Sequence, residues 1–239
     1  MTPSKPAVVW STLAGPGSEP PTAEGLRERK KRLLRQQLSD TATQMFMERG
    51  FDGVRVSEVA EACQVSEKTV FNYFPTKESL ILDRWDTTMA SLPAALAEPE
   101  VSPVEATLRV LASELGDMMS WLASQDDPIQ TGAAMRRFDS LVWATPSLRA
   151  YQRDMMDRLA AVAAGVLAER VGMSLDDPEP QIAATALLGL WLIQFQSLTR
   201  YLDGIRTPAQ VLEAVTAEVR RAARLIDTGL SSFAANRDA

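Results

Sequence analysis

The chain has 239 residues, 46% of them apolar, a formal net charge of −6, one cysteine and no histidine. Without histidine there is no Ser-His-Asp or Cys-His catalysis and no common zinc site, and a single cysteine excludes an intrachain disulfide. No apolar run reaches the ~20 residues that span a bilayer, and no positive-then-apolar leader opens the chain, so a cytoplasmic setting is expected. The charge is unevenly spread: residues 25–85 carry 11 basic and 9 acidic groups, whereas residues 86–239 carry 13 and 20. A weakly basic end on an acidic body fits a protein that presents only one end to a polyanion.

Residues 1–24 contain five prolines and no sustained periodicity, and they read as a disordered arm. A first helix starts near Gly25. Its opening turns are crowded with Arg27, Arg29, Lys30, Lys31 and Arg32, an arrangement that opposes the helix dipole and that phosphate contact would explain. Leu34, Leu38, Ala42, Met45 and Phe46 form its apolar stripe, and Gly50 is the expected C-cap.

Two short helices follow within Val56–Glu78. Val56, Val59, Ala60 and Cys63 recur at three- and four-residue spacing, with Ser57 as expected N-cap. After Ser66, a second N-cap, the run Glu67-Lys68-Thr69-Val70-Phe71-Asn72-Tyr73-Phe74 is expected to turn Val70, Phe71 and Phe74 to the core. Glu67, Lys68, Thr69 and Asn72 would then face outward, and Pro75 would end the helix. A helix-turn-helix of this kind sets its second helix in the DNA major groove.

The run V-S-E-K-T-V-F-N-Y-F-P-T-K-E-S-L resembles the recognition helix of the TetR family of bacterial repressors. The likeness extends upstream through Ala42–Phe51 and Val59–Ala62, and covers about Leu33 to Leu82. Gln64 departs from it, standing in the turn where the family usually has glycine. If that position needs positive φ, glutamine costs about 1 kcal/mol there. By motif position the resemblance places Lys30, Lys31, Arg55, Ser57, Ser66, Glu67, Lys68, Thr69, Asn72, Tyr73 and Lys77 at DNA. Side-chain chemistry agrees: Lys68 can reach guanine, Glu67 can accept from cytosine, Asn72 can read adenine, and Tyr73 and Lys77 suit phosphate.

Thr76 is expected to cap a long helix from Lys77, ended by Pro93 and the Glu98-Pro99-Glu100 cluster. Five further helices follow, opened by Pro103, Pro128, Pro146, Pro178 or Pro180, and Pro208. They are expected to run to about Ser124, Trp143, Val171, Leu202 and Phe233. The predicted fold is all-α. Residues 25–76 form a three-helix DNA-binding domain, and residues 77–239 a helical effector-binding and dimerisation domain.

The helix Ile182–Leu202 is apolar nearly all round, more than one body of this size can cover, so a second copy is expected against it. The resemblance implies the same, because TetR-family dimers pair through their last two helices. Met118, Met119, Trp121, Met135, Phe138, Trp143, Met155, Trp191 and Phe195, with Trp85, Leu122 and Leu188, are candidate lining for a small apolar effector. For any one of them ordinary core packing is the stronger reading; the cavity reading rests on the group.

The combined expectation is a homodimeric transcriptional regulator, a repressor released from a palindromic operator by an apolar or amphipathic small molecule. No cofactor, metal or membrane partner is implied. A hydrophobic-ligand carrier with a non-functional helix-turn-helix is the alternative. An enzyme built on Asp126-Asp127 or Asp176-Asp177 is disfavoured, because both pairs precede proline-led helices where acids serve as caps.

Overall fold

The computed structural model describes residues 25–82 and 85–229. Among these residues there are ten helices and no strand: α1 (Leu26–Arg49), α2 (Val56–Ala62), α3 (Glu67–Tyr73), α4 (Ser79–Leu82), α5 (Trp85–Leu96), α6 (Pro103–Ala123), α7 (Pro128–Ala144), α8 (Pro146–Val171), α9 (Pro178–Tyr201) and α10 (Pro208–Thr228). The all-α expectation holds. Every one of the last five helices starts at a proline, where a missing N–H costs nothing because that position has no intrahelical partner. Ser102 and Thr207 cap the helices they precede, accepting the backbone N–H of Glu105 and of Gln210.

The chain divides into two compact units. The first holds α1 to α4 together with Ala134–Tyr151, and the second holds Trp85–Ala133 together with the residues from Gln152 onward. The first unit therefore runs past Thr76 and also takes in a distant stretch of α7 and α8.

The first unit is built on Leu38, Ala42 and Phe46 of α1, Val59 and Ala60 of α2, Val70 of α3, and Leu80 of α4, with Phe74, Val142 and Leu148 closing the same cluster. Burying each large side chain of this kind contributes about 1.5–3 kcal/mol. In the second unit α10 packs on α9 and α6, and α5 packs on α6. Leu111, Leu115 and Leu122 of α6, Leu187, Leu190 and Trp191 of α9, and Val211, Val215 and Val219 of α10 are buried there.

Several expectations are corrected. The helix expected from Lys77 begins at Ser79, because Thr76 and Ser79 cap each other: each backbone N–H reaches the other's hydroxyl at 3.2 Å. Pro93 lies inside α5 instead of ending it. Leu92 and Leu96 on either side are fully buried, and that packing offsets the roughly 3 kcal/mol a proline costs in a helix. Ser57 sits inside α2, whose N-cap is Arg55. The last helix ends at Thr228, and Phe233 lies outside the described residues. By length and composition α9 is apolar enough to cross a membrane, with mean hydropathy 1.4 in its richest window and 44% of that window buried in the protein. Gln194 and Gln196 break its apolar residues, so α9 holds no uninterrupted apolar run of about 20 residues.

Candidate nucleic-acid interface

The turn between α2 and α3 is closed by backbone bonds. Val65 N–H reaches Ala60 O at 2.9 Å and Gln64 N–H reaches Glu61 O at 3.0 Å, the paired bonds of a Schellman end. That ending requires a left-handed residue at the position of Gln64, and its φ is 58°. The glutamine thus adopts the strained conformation for which the resembled family uses glycine.

Ser66 caps α3 as expected. Its Oγ accepts Thr69 N–H at 3.1 Å and lies 2.7 Å from Thr69 Oγ1, so the two hydroxyls hold each other. Along α3 only Val70 is fully buried, while Glu67, Lys68 and Asn72 are exposed. Phe71 overturns its prediction: it is 44% exposed and shares the outward face with Glu67, Lys68 and Asn72. Those four positions follow one another at helical spacing.

The loop before α2 is tight. A Cβ on Gly53 would lie 2.5 Å from Arg49 O, so glycine is required by the approach of backbone to backbone. Arg49 donates to Gly53 O at 2.7 Å and to Glu58 Oε1 at 2.8 Å. Glu58 also accepts Arg55 N–H at 2.7 Å, completing the start of α2 without the serine. That backbone N–H and the Arg49 guanidinium hold the Glu58 carboxyl below the usual glutamate range.

Basic residues near α3 differ in what occupies them. Arg27, Lys30 and Lys31 are exposed and edge a groove of about 360 Å³ that Tyr73 also lines. Arg35 is turned inward, donating to Tyr73 O at 2.9 Å with its guanidinium 4.7 Å from the Phe74 ring centre. Lys77 is half-buried, and its ammonium donates to Phe51 O at 2.6 Å. Arg55 and Ser57 are exposed at the start of α2.

In the second unit, the Glu114 carboxylate of α6 accepts the Thr88 hydroxyl of α5 at 2.6 Å and the Trp191 indole N–H of α9 at 3.0 Å. Arg170 of α8 donates to the carbonyls of Leu96, Glu98, Pro99 and Val101 at 2.6–3.1 Å. Between α9 and α10, Glu218 accepts the Ser197 hydroxyl, the Tyr201 hydroxyl and Arg200. The Ser197 and Tyr201 hydroxyls, followed by the arginine charges, hold its carboxyl below the usual range. A groove of about 320 Å³ opens beside it, lined by Ile193, Gln196 and Leu225 among others.

The candidate effector residues are divided between the two units. Met119, Leu122, Leu188 and Trp191 are buried in the second unit, and Met118, Trp121, Met155 and Phe195 are half-buried there. Met135 and Phe138 belong to the first unit, Phe138 packed against its core cluster, and Trp143 is 44% exposed on that unit. The Trp85 side chain lies outside the described residues. Among the described residues no group of three or more Cys, Asp or Glu is placed to hold a metal.

A short exposed helix after a Schellman turn, beside uncovered lysines and ahead of an all-helical second unit, defines the class of helix-turn-helix regulators. Comparison with known proteins carries this further. Residues 38–83 match the family described as bacterial regulatory proteins, tetR family, and residues 123–224 match the MftR C-terminal domain. The chain is 30% identical over 159 residues to the HTH-type transcriptional regulator TcmR of Streptomyces glaucescens, covering 66% of this chain and 69% of that protein. It is 47% identical over 47 residues to the HTH-type transcriptional regulator LuxR of Vibrio harveyi, covering 20% and 23% respectively. Its fold is similar to that of NalD, the secondary repressor of the MexAB-OprM efflux pump in Pseudomonas aeruginosa, with TM-score 0.50 and 19% identity over 80% of this chain and 96% of that one. The chain belongs to the TetR family of transcriptional regulators; it is a DNA-binding regulator and not an enzyme.

Proposed function

We propose that the protein is a homodimeric repressor, acting in the cytoplasm, that grips a palindromic operator and is released from it by an apolar or amphipathic small molecule. The outward face of α3 carries the reading: Glu67, Lys68, Phe71 and Asn72 stand exposed on a helix whose opposite side is anchored by Val70. In a major groove Lys68 suits guanine O6 and N7, Asn72 suits adenine, and Phe71 suits a thymine methyl. Arg27, Lys30, Lys31 and Tyr73 suit the flanking phosphates.

Dimerisation is supported by α9. Ile182 is 67% exposed and Leu192 46% exposed, and they stand on one stripe with Thr185, Gly189 and Gln196. Two large apolar side chains, Ile182 and Leu192, left open on a helix otherwise packed in a core are suited to a second copy. Release by an effector is supported by the soft, bulky residues of the second unit, chiefly Met118, Trp121, Met155 and Trp191. Linkage then requires the effector to bind the DNA-free form more tightly, by the factor that it weakens DNA binding.

The test is electrophoretic retardation of a fragment from the protein's own upstream region against an unrelated fragment. Selective retardation, reversed by molecules that raise the melting temperature, is the expected result. Equal retardation of both fragments, or none, overturns the reading and leaves the hydrophobic-ligand carrier.

A further inference from the structure

We infer that Phe71 reads the C5-methyl group of a pyrimidine, so that operator strength follows a methyl carried by thymine or by 5-methylcytosine. The inference deepens the DNA-binding reading above and rests on it. Phe71 is the fifth residue of α3 and is 44% exposed. The other described phenylalanines are buried or half-buried, and Phe46, Phe51 and Phe74 are at most 4% exposed. Val70 and Phe74 belong to the core cluster of the unit, and Phe71 is neither in that cluster nor packed around it.

The phase of α3 is fixed from both ends of its first turn. Val70 is fully buried, and the hydroxyls of Ser66 and Thr69 hold the start of the helix. Phe71 therefore cannot rotate inward without taking Val70 out of the core. Glu67 and Lys68 stand four and three residues before it, one turn away on the same exposed face. The result is an aromatic ring flanked by an acid and a base.

That ring has no hydrogen-bonding group, so in a major groove it selects by shape and apolar contact alone. The apolar group that base pairs project there is the C5-methyl of thymine, and 5-methylcytosine sets the same group at the same place. The flanking charges suit both carriers. The Lys68 ammonium can donate to thymine O4, and the Glu67 carboxylate can accept the 4-amino group of cytosine. Uracil and unmethylated cytosine offer the same polar edges and leave the ring without its partner.

The test starts from the duplex that the full-length wild-type protein enriches from a random-sequence pool. That duplex is resynthesised with deoxyuridine at each symmetric pair of thymines, and with 5-methylcytosine at each symmetric pair of cytosines. Wild type, Phe71→Ala and Phe71→Leu are titrated on each duplex by retardation, and melts check folding. Both variants should melt as wild type does, because the ring is not part of the core. The methyl is removed in the DNA, so wild type alone already tests the contact should a variant fail to fold.

Burying one methyl group shifts an equilibrium about fourfold, hence about fifteenfold for two half-sites. Wild type should lose about that much at one pair of thymines on replacement by deoxyuridine, or gain it at one pair of cytosines on methylation. The first result names thymine as the carrier, the second methylated cytosine, and both support the contact. Phe71→Ala should abolish the difference, and Phe71→Leu should keep part of it. Equal binding of every duplex by wild type overturns the inference. So does a methyl effect that Phe71→Ala retains in full, which belongs to the shape of the DNA. A pool from which wild type enriches no duplex overturns the sequence-reading function itself, and the inference with it.

Discussion

The two units are completed in different ways. In the first, polar side chains are turned onto main-chain carbonyls: Arg35 on Tyr73 O, Arg49 on Gly53 O, Ser39 on Leu80 O and Lys77 on Phe51 O. Each fixes a short element, and α2 and α3, at seven residues apiece, are too short to hold shape on propensity alone. In the second unit the helices are long and firmly packed within, yet α9 leaves Ile182 and Leu192 uncovered. A surface that reads DNA has to be rigid in the single chain. On the proposed dimeric reading, a second copy would finish the α9 surface.

This contrast can be broken or sharpened by substitutions on each side of it. The largest effect is expected at the open stripe. Leu192→Glu would bury an unpaired charge in a dimer but leave it in water in a monomer, so association should weaken by about 3 kcal/mol or more. Sedimentation at micromolar concentration should then move from about twice the 26.2 kDa chain mass to that mass itself. If wild type already sediments as a monomer, the stripe is not an interface.

Lys68→Ala should cost about 1–3 kcal/mol on the preferred operator and relax the choice of base at one position per half-site. Binding curves on operator and scrambled DNA measure it, and equal losses on both would remove Lys68 from base reading. A smaller change of opposite sign is expected in the turn. Gln64→Gly should stabilise the reading unit by about 1 kcal/mol, since glycine accepts the φ of 58° without steric cost. Urea unfolding reads this directly, and a loss of stability there would mean that the glutamine side chain holds something the turn needs.

The smallest effect is a pH dependence. Glu58 is held below its ordinary range by Arg55 N–H and Arg49, so its stabilising contribution is present above the unfolded glutamate value, about 4.3. It fades as pH falls through the lower folded value. Its half-exposed setting keeps the effect modest. Melting temperature followed from pH 6 to 3 should fall less steeply in Glu58→Gln than in wild type, and parallel curves would rule the carboxylate out as a contributor.

What the sequence disclosed follows from how local each feature is. Helix starts at Pro103, Pro128, Pro146, Pro178 and Pro208 were legible because proline acts on its own residue and its neighbours. The strain at Gln64 was legible because the turn chemistry is local as well. Phe71 was misplaced because seven residues make two turns, too few to phase an apolar stripe. Lys77 shows its charge in sequence but not its direction, which is set by two rings 26 and 31 positions earlier. The grouping of Met135, Phe138 and Trp143 with the first unit was likewise hidden, since bulk and softness say that a residue packs and not which core it joins. Pro93 misled because its local penalty is outweighed by distant packing.

Arg170 carries a consequence for how the chain comes to be folded during synthesis. The connection between α5 and α6 has its carbonyls at Leu96, Glu98, Pro99 and Val101 held by a side chain that lies 69–74 residues further along. At ribosomal speeds of about 5–20 residues per second, that guanidinium emerges roughly 3–15 s after the segment it secures. Throughout that interval the first four helices have already been made, whereas the joint that follows α5 still lacks this anchor. A pause just before Arg170 would lengthen the exposure of this joint to proteases and chaperones without touching the DNA-reading helices.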